Sequence, residues 1–428
     1  MMKVISFSKN REYFKKLKSR NQVEQDGVDE IVKDILANVK LNKDKALQEY
    51  TKKFDGVELE DFSVSEKEIE SALKNTPDEL KEDLIKAKEN IEKYHKKQLK
   101  TSYSIYEKED IILGQIVRSI EKVGIYVPGG KAAYPSTVLM NALPAKIAGV
   151  QEIIMITPPD KKGKIKDSIL AAAYIAGVDK IYKIGGAQGI GALAFGTESI
   201  PKVDKITGPG NIYVAMAKKQ LMGYVGIDMI AGPSEIMIIA DKWANPKYIA
   251  ADLISQAEHD EMAASILVTD WEPLAEKVLA EIGLQLQSLE RKEIIENSLK
   301  NYGAIIITSC LEESVNIANE IAPEHLEILT DNPFDVYRGV KNAGAIFLGE
   351  YSPEPVGDYF AGPNHILPTS STSRFSSPLS VNDFIKKTSL IYYSKEALMK
   401  SKDSIMRIAE EEGLRGHANS VRVRFEGV

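Results

Sequence analysis

From about residue 111 the chain alternates short apolar runs with helix-like stretches, and this alternation restricts the fold more than any other feature. Strand-like runs occupy Lys122–Val127, Glu152–Thr157, Lys180–Ile184 and Glu235–Ala240, while Ser136–Ala148 and Lys166–Ala176 carry helical spacing. Strand, helix, strand in succession spells βα units and a mostly parallel sheet. A second series follows at Ala264–Thr269, Ala304–Thr308, Leu326–Leu329 and Ala345–Leu348. Two such α/β blocks meeting near residue 238 predict related halves.

The flanks read differently. Residues 1–100 hold apolar positions three and four apart with Lys and Glu between them, over Val28–Lys53 and Ser65–Leu99, which predicts a solvated helical layer. His95 is expected to be exposed there. Residues 381–428 are charged and helical in pattern, lack a core of their own, and are expected to pack on something else. A length of 428 residues suits about three domains.

Composition narrows the function classes. A net charge of −7 and a pI near 5.6, with both signs interleaved, argue against a nucleic-acid surface. The sequence shows neither an apolar run of membrane-spanning length nor a signal-peptide core, so a cytoplasmic protein without a membrane partner is expected. The single cysteine, Cys310, excludes an internal disulfide and a Cys-rich metal site. With no His or Lys within five positions to activate it, Cys310 reads as a structural thiol, not a nucleophile.

Three glycine-rich turns fall in the first block, at Tyr126–Gly130, Gly185–Gly191 and Thr207–Asn211. The first two follow strand-like runs, where the carboxyl ends of parallel strands place ligand loops. Glycine there allows a backbone to approach a phosphate closely. Gly189–Ala194 fits a loose G-x-G-x-x-A, but no acidic residue stands about 20 positions on for a ribose. Each turn taken alone is equally well explained by packing; three in one block favour a nucleotide.

Ionisable residues cluster in four strings. Lys247–Ser265 contains no Gly or Pro and reads as a helix, so Gln256 and His259, three apart, share a face as half of a metal site. Pro323 precedes Glu324 and His325 and is expected to hold both on a turn. Asp358, Tyr359 and His365 read as one loop, and Glu412 and His417 lie in the tail. Together Gln256, His259, Asp358 and His417 form an N/O ligand set suited to zinc or another first-row divalent ion, with Glu324 and His325 as acid–base groups. Metal, base and nucleotide turns point to redox or hydrolytic chemistry at a polar carbon. A zinc hydrolase would leave the glycine turns unexplained, and a two-lobed binding protein would leave the costly ionisable cluster without a task.

The strings Tyr126–Gly130, Gly185–Gln188, Thr207–Asn211, Ala231–Glu235, Gln256–Asp260, Ala322–His325 and Gly362–His365, in this order, closely resemble the histidinol dehydrogenase family from about residue 20 to the end. The resemblance implies oxidation of L-histidinol through L-histidinal to L-histidine with two NAD, the end of histidine biosynthesis. It places one zinc per subunit on Gln256, His259, Asp358 and His417, the base on His325, and water activation for the second oxidation on Glu324. Substrate contacts fall on Ser234, Gln256, His259, His325, Asp358, His365, Glu412 and His417. NAD contacts fall on Tyr126, Gln188 and Asn211. It further implies a homodimer whose tail, with Glu412 and His417, completes the partner's site. A relative acting on another polar alcohol is the alternative; Glu412 and His365, which suit an imidazole-bearing substrate, weigh against it. The role of Arg374, in the Ser- and Thr-rich loop 369–377, stays open.

The expected architecture is therefore two incomplete, related Rossmann-like α/β domains with mostly parallel sheets, plus a small helical tail domain that swaps onto the partner. Residues 1–22 would form a segment packing with the tail. Residues 23–120 and 239–380 would form the metal and catalytic domain, 121–238 the NAD domain, and 381–428 the tail.

Overall fold

The structure, a computed structural model, describes residues 2–6, 27–107, 110–129 and 133–426. Its strands, in chain order, are β1 (Lys3–Ser6), β2 (Tyr103–Glu107), β3 (Ile111–Ser119), β4 (Lys122–Tyr126), β5 (Glu152–Thr157), β6 (Lys180–Lys183) and β7 (Lys205–Thr207). There follow β8 (Gly226–Ile227), β9 (Glu235–Ala240), β10 (Ala264–Thr269), β11 (Ala304–Ile307), β12 (His325–Leu329), β13 (Ala345–Leu348) and β14 (Ile385–Tyr393). The chain forms two units, one of Met1–Gln98 with Ile120–Phe384, the other of Leu99–Ser119 with Ile385–Val428.

The first unit contains two parallel sheets. One runs β6-β5-β4-β7-β8 and the other β1-β11-β10-β9-β12-β13. Counted from its own first strand, each block reads 3-2-1-4-5, the doubly wound order without its sixth strand, with β1 added beside β11 at one edge. The expected kinship of the halves is thus a shared strand order. Every residue of β9 and β10 is buried, as strands covered on both faces require, which is why both read as unbroken apolar runs.

Two expected boundaries move. The helices Val28–Phe54, Glu66–Asn75 and Asp78–His95 cover the five-stranded sheet, not the sheet of the catalytic block. Val32, Ile35, Leu36 and Val39 share one core cluster with Ile190 and Leu193, while Leu84, Ala87 and Ile91 share another with Leu139, Met140 and Leu143. The second block begins by Glu235, the first residue of β9, rather than near 238. Of the expected N-terminal segment, residues 3–6 form β1; residues 7–26 lie outside those described, as does Gly130 of the first glycine turn.

The second glycine stretch is a helix, Gly186–Phe195, rather than a loop. A Cβ on Gly191 would come within 3.0 Å of Leu36 Cδ2 and 3.4 Å of Val39 Cγ1, so the missing side chain lets two helices approach. His95 is fully buried instead of exposed, its Nδ1 2.8 Å from Gln98 Oε1, because it closes the helix on its packed face.

The second unit is not wholly helical. β14 pairs antiparallel with β3 along nine residues, Ile385 opposite Ser119 through Tyr393 opposite Ile111, and β2 pairs with the other side of β3. Two helices follow, Lys395–Glu411, capped by the Ser394 side chain, and Arg415–Arg422. Its strands expose large apolar groups, among them Tyr106 at 76% and Ile391 at 71%. Among the described residues, no helix is long and apolar enough to cross a membrane.

Candidate active site

Three elements of the first unit converge through their own periodicities. His325 and Glu327, two apart on β12, point to one face of the sheet. Glu354 and Asp358, four apart on the short helix Glu354–Tyr359, lie on one helical face, as do Asp252 and Gln256 on the helix Pro246–Ala257. His325, Glu354 and Asp358 come together as one group. Asp252 and Glu327 are hydrogen-bonded to each other, with Glu327 also bonded to the Glu354 backbone.

Gln256 lies on a helix as expected, but local structure departs from the sequence reading at His259, His325 and Asp358. The helix carrying Gln256 ends at Ala257, and His259 sits in the turn beyond, where its N–H donates to the Gln256 carbonyl at 3.2 Å. Asp260 turns the chain toward β10 by accepting from the Met262 N–H at 2.8 Å, so apolar periodicity alone overran the true end. His325 opens a strand rather than lying on a turn, and Asp358 is helical rather than in a loop.

The His325 ring is oriented by the backbone. Its Nδ1 lies 3.0 Å from the Glu235 carbonyl, which can only accept, so Nδ1 carries the proton and Nε2 holds the lone pair. Nε2 has no hydrogen-bond partner and stands 3.9 Å from Glu354 Oε1 and 4.0 Å from Asp358 Oδ1. Burial lowers the His325 pKa below its ordinary value, with Asp358 opposing. At neutral pH the ring is a neutral base facing a polar gap.

The acids around it are crowded and dry. Glu324 Oε2 accepts from the Glu235 N–H at 2.9 Å, and burial drives its pKa well above the carboxylate range. Burial, then Asp358, pushes Glu354 up to about 9; burial pushes Asp252 up to about 6, opposed by its hydrogen bond with Glu327. Burial, then Asp252, raises Glu327 well above its ordinary value. Glu327 Oε1 also accepts from the Glu354 N–H at 2.8 Å, tying β12 to the helix that carries Asp358. None of Asp252, Glu327 and Glu354 was expected from sequence, although each lies two or four residues from an expected site residue. Such a density of buried carboxyls is tolerated only with shared protons or a cation.

The donors present fit a divalent metal. Gln256 is fully buried with neither amide atom hydrogen-bonded, an arrangement that costs free energy unless something else binds there. One ligand atom each from His325, Glu354 and Asp358 lies within 4.8 Å of the others. His259, on the exposed turn, has its pKa lowered by the surrounding burial, with Asp358 opposing. Asp358 is therefore common to this trio and to the set Gln256, His259, Asp358 and His417. Half-buried Ser234 precedes Glu235 directly. His365 is committed at both ring nitrogens, Nδ1 2.9 Å from the Asp358 carbonyl and Nε2 3.3 Å from Thr137 Oγ1. Glu412 and His417 stand exposed on the second unit. Arg374 donates to the Glu320 carbonyl, and exposed Cys310 precedes the helix Leu311–Ile321.

The expected NAD residues gather at the carboxyl edge of the five-stranded sheet, where the strand order reverses between β4 and β7. Tyr126 ends β4 and is buried, its phenol pushed up to about 12 chiefly by burial, with a hydrogen bond to the Gly186 backbone opposing. Gln188, in the first turn after β6, is buried with Oε1 unpartnered. Asn211 is exposed and caps the helix Ile212–Gln220, its Oδ1 accepting from the Tyr213 and Val214 N–H groups at 3.1 and 3.2 Å. The turn between them is pinned by a buried ion pair that the sequence does not advertise. Lys218 and Asp228, 2% and 1% exposed, pair with each other. Lys218 Nζ donates to the Gly208 carbonyl at 3.0 Å, and the Gly208 N–H donates to Asp228 Oδ2 at 2.8 Å. Gly208 has φ +117°, and a Cβ there would fall 2.1 Å from the Tyr126 carbonyl oxygen, so only glycine fits.

A family model for histidinol dehydrogenase matches residues 18–425. The chain belongs to the histidinol dehydrogenase family. It is 59% identical over 414 residues to a histidinol dehydrogenase of Clostridium acetobutylicum, covering 97% of this chain and 96% of that protein. It is 57% identical over 431 residues to one of Caldanaerobacter subterraneus subsp. tengcongensis, covering 99% of each. The crystal structure of histidinol dehydrogenase from Elizabethkingia anophelis superposes with a TM-score of 0.88 at 42% identity, covering 93% of this chain and 92% of that one. Membership makes the chain an oxidoreductase of histidine biosynthesis that takes histidinol to histidine, with NAD the oxidant the family implies.

Proposed function

We propose that the protein oxidises L-histidinol in two steps at one site, with His325 as the base. The observation that carries this reading is the His325 ring itself, fixed through Nδ1 by the Glu235 carbonyl, with an unpartnered Nε2 and a lowered pKa. That nitrogen takes the alcohol proton as hydride leaves the substrate carbon. Gln256, His259 and Asp358, with His417 from a second copy of the chain, would hold zinc, which when bound would supply a Lewis acid for orienting the substrate's amine and imidazole; Tyr126, Gln188 and Asn211 would hold NAD, which would supply the hydride acceptor. In the second oxidation Glu324, with His325, draws a proton from water as it adds to the aldehyde. A neighbouring cation favours the carboxylate form of Glu324 that this step requires.

The exposed apolar strands of the second unit, and Glu412 and His417 on its helical part, support a homodimer in which the tail serves the other copy's site, alongside Ser234 and His365. The setting we propose is cytoplasmic, with no nucleic-acid or membrane partner, on the grounds of the interleaved acidic charge. Limiting L-histidinol should give about two NADH per molecule with little free aldehyde, because one site holds the intermediate. A yield of one, with the aldehyde captured by an added amine, overturns the two-step reading.

A further inference from the structure

A chain of hydrogen bonds, buried at its first two links and part-buried at the two made by His365, joins the turn at the end of β7 to Asp358. Thr207, the last residue of β7 and fully buried, donates from Oγ1 to Asn141 Oδ1 at 2.9 Å. Asn141, also fully buried, donates from Nδ2 to the Thr137 carbonyl at 2.8 Å, one helical turn back on Pro135–Ala148. Thr137 Oγ1 lies 3.3 Å from His365 Nε2, and His365 Nδ1 lies 2.9 Å from the Asp358 carbonyl. A carbonyl only accepts, so His365 carries its proton on Nδ1. Its Nε2 is then the acceptor for the Thr137 hydroxyl, which fixes every donor in the series.

We infer that Thr137, Asn141 and His365 are positioning residues that set Asp358 relative to the nucleotide turn. Each end of the series is anchored independently. Gly208, next to Thr207, is held at both its N–H and its carbonyl by the Lys218–Asp228 pair, and Glu327 caps the helix that bears Asp358. The segment with His365 is itself fastened to the helix Pro135–Ala148 that carries Thr137 and Asn141, since Asn364 Nδ2 donates to the Met140 carbonyl at 2.7 Å. Buried polar groups of this kind adopt one arrangement when all are satisfied, so a shift at one end is resisted at the other. His365 therefore acts on Asp358 through the backbone, in addition to any contact it makes with substrate.

The inference rests on the reading of Asp358 as a metal ligand, and the experiment separates the two. Zinc affinity of the full-length dimer is measured by chelator competition, and histidinol affinity is measured with and without NADH, for Thr137→Val, Thr137→Ser and His259→Asn. Valine keeps the shape and removes the hydroxyl, so Thr137→Val should weaken zinc binding tenfold or more, the range for partners that orient a ligand. It should also reduce the difference that NADH makes to histidinol affinity, whereas Thr137→Ser should restore both. If His259→Asn loses zinc while Thr137→Val matches wild type on both measures, the positioning role is overturned and the metal site stands. If His259→Asn binds zinc as wild type does, the metal-site reading fails first. Should Thr137→Val fail to fold, Asn141→Leu is measured in the same way, and wild-type values there also overturn the role.

Discussion

Lys218→Met is the most exposing test of how the nucleotide turn is held. The substitution keeps the length of the stem and removes the ammonium, leaving Asp228, 1% exposed, as a buried carboxylate without its cation. Breaking one side of a buried ion pair costs about 3–5 kcal/mol, a large part of the ~5–15 kcal/mol that holds a folded protein together. The Gly208 carbonyl also loses its donor, which is 3.0 Å away in the intact protein. In Lys218→Met/Asp228→Asn no charge is stranded, and the asparagine oxygen can still accept the Gly208 N–H. The double variant should therefore recover all but about 1–2 kcal/mol, the residue of one unsatisfied carbonyl. Urea unfolding followed by circular dichroism reads the stabilities, and equilibrium NADH binding reads the turn. NADH affinity should fall in both variants, because the Gly208 carbonyl loses its Lys218 donor in each. A single variant within about 1 kcal/mol of wild type, or a double variant no more stable than the single, would refute the argument from charge burial.

Three other outcomes follow from the same geometry. Glu327→Met removes the acceptor for the Glu354 N–H and should weaken zinc binding about 10–100-fold, while Glu327→Gln, which keeps an acceptor, stays near wild type; equal behaviour of the two would exclude this hydrogen bond as the cause. Burial raises Asp55 from its ordinary 3.8 to about 6, so the folded form holds a proton there that the unfolded chain gives up. Its contribution is fully present below pH 3.8 and is lost as the pH rises through about 6. Asp55→Asn should flatten the urea midpoint across that window and raise it at pH 7, and a mutant-to-wild-type difference independent of pH would contradict the assignment. Finally, His259→Asn and His417→Asn, each inactive, should regain roughly a quarter of wild-type activity after subunit exchange, because half the dimers are mixed and one site in each is intact. No recovery, with exchange confirmed by mass labelling, would place His417 in its own subunit's site.

The long apolar strands and their order of appearance were legible from sequence because burial on both faces leaves an unbroken run, as in Glu235–Ala240 and Ala264–Thr269. β7 and β8, three and two residues long, are too short to leave such a run. β14 was hidden by its solvent-exposed residues, Lys386, Lys387 and Thr388 among them, within a tail whose charge suggests only helix. At the site, His259, His325 and Asp358 stand out by residue type. Asp252, Glu327 and Glu354 do not, because an acid inside an amphipathic helix or a strand normally faces water, and only the packing of three elements buries these. Their offsets of two and four from the expected residues were the available signal. The Lys218–Asp228 pair had none, since nothing local says that a lysine in an ordinary helix turns inward.

The pairing of β14 with β3 has a consequence for synthesis. The strands lie about 270 residues apart, so closing them costs ~5 kcal/mol of chain entropy that no local contact offsets. At the usual rates of translation β3 waits about 15–50 seconds for its partner. Throughout that interval Ile111–Gln115 pairs with β2 on one side, while the whole of Ile111–Ser119 presents an open edge on the other, bearing Ile111, Ile112, Leu113, Ile116 and Val117. An unprotected apolar edge recruits other strands, including the same edge on a neighbouring nascent chain. Chains stopped before residue 385 would carry that edge permanently, so truncation products should accumulate as aggregates, and chaperone demand should concentrate on the β2–β3 hairpin.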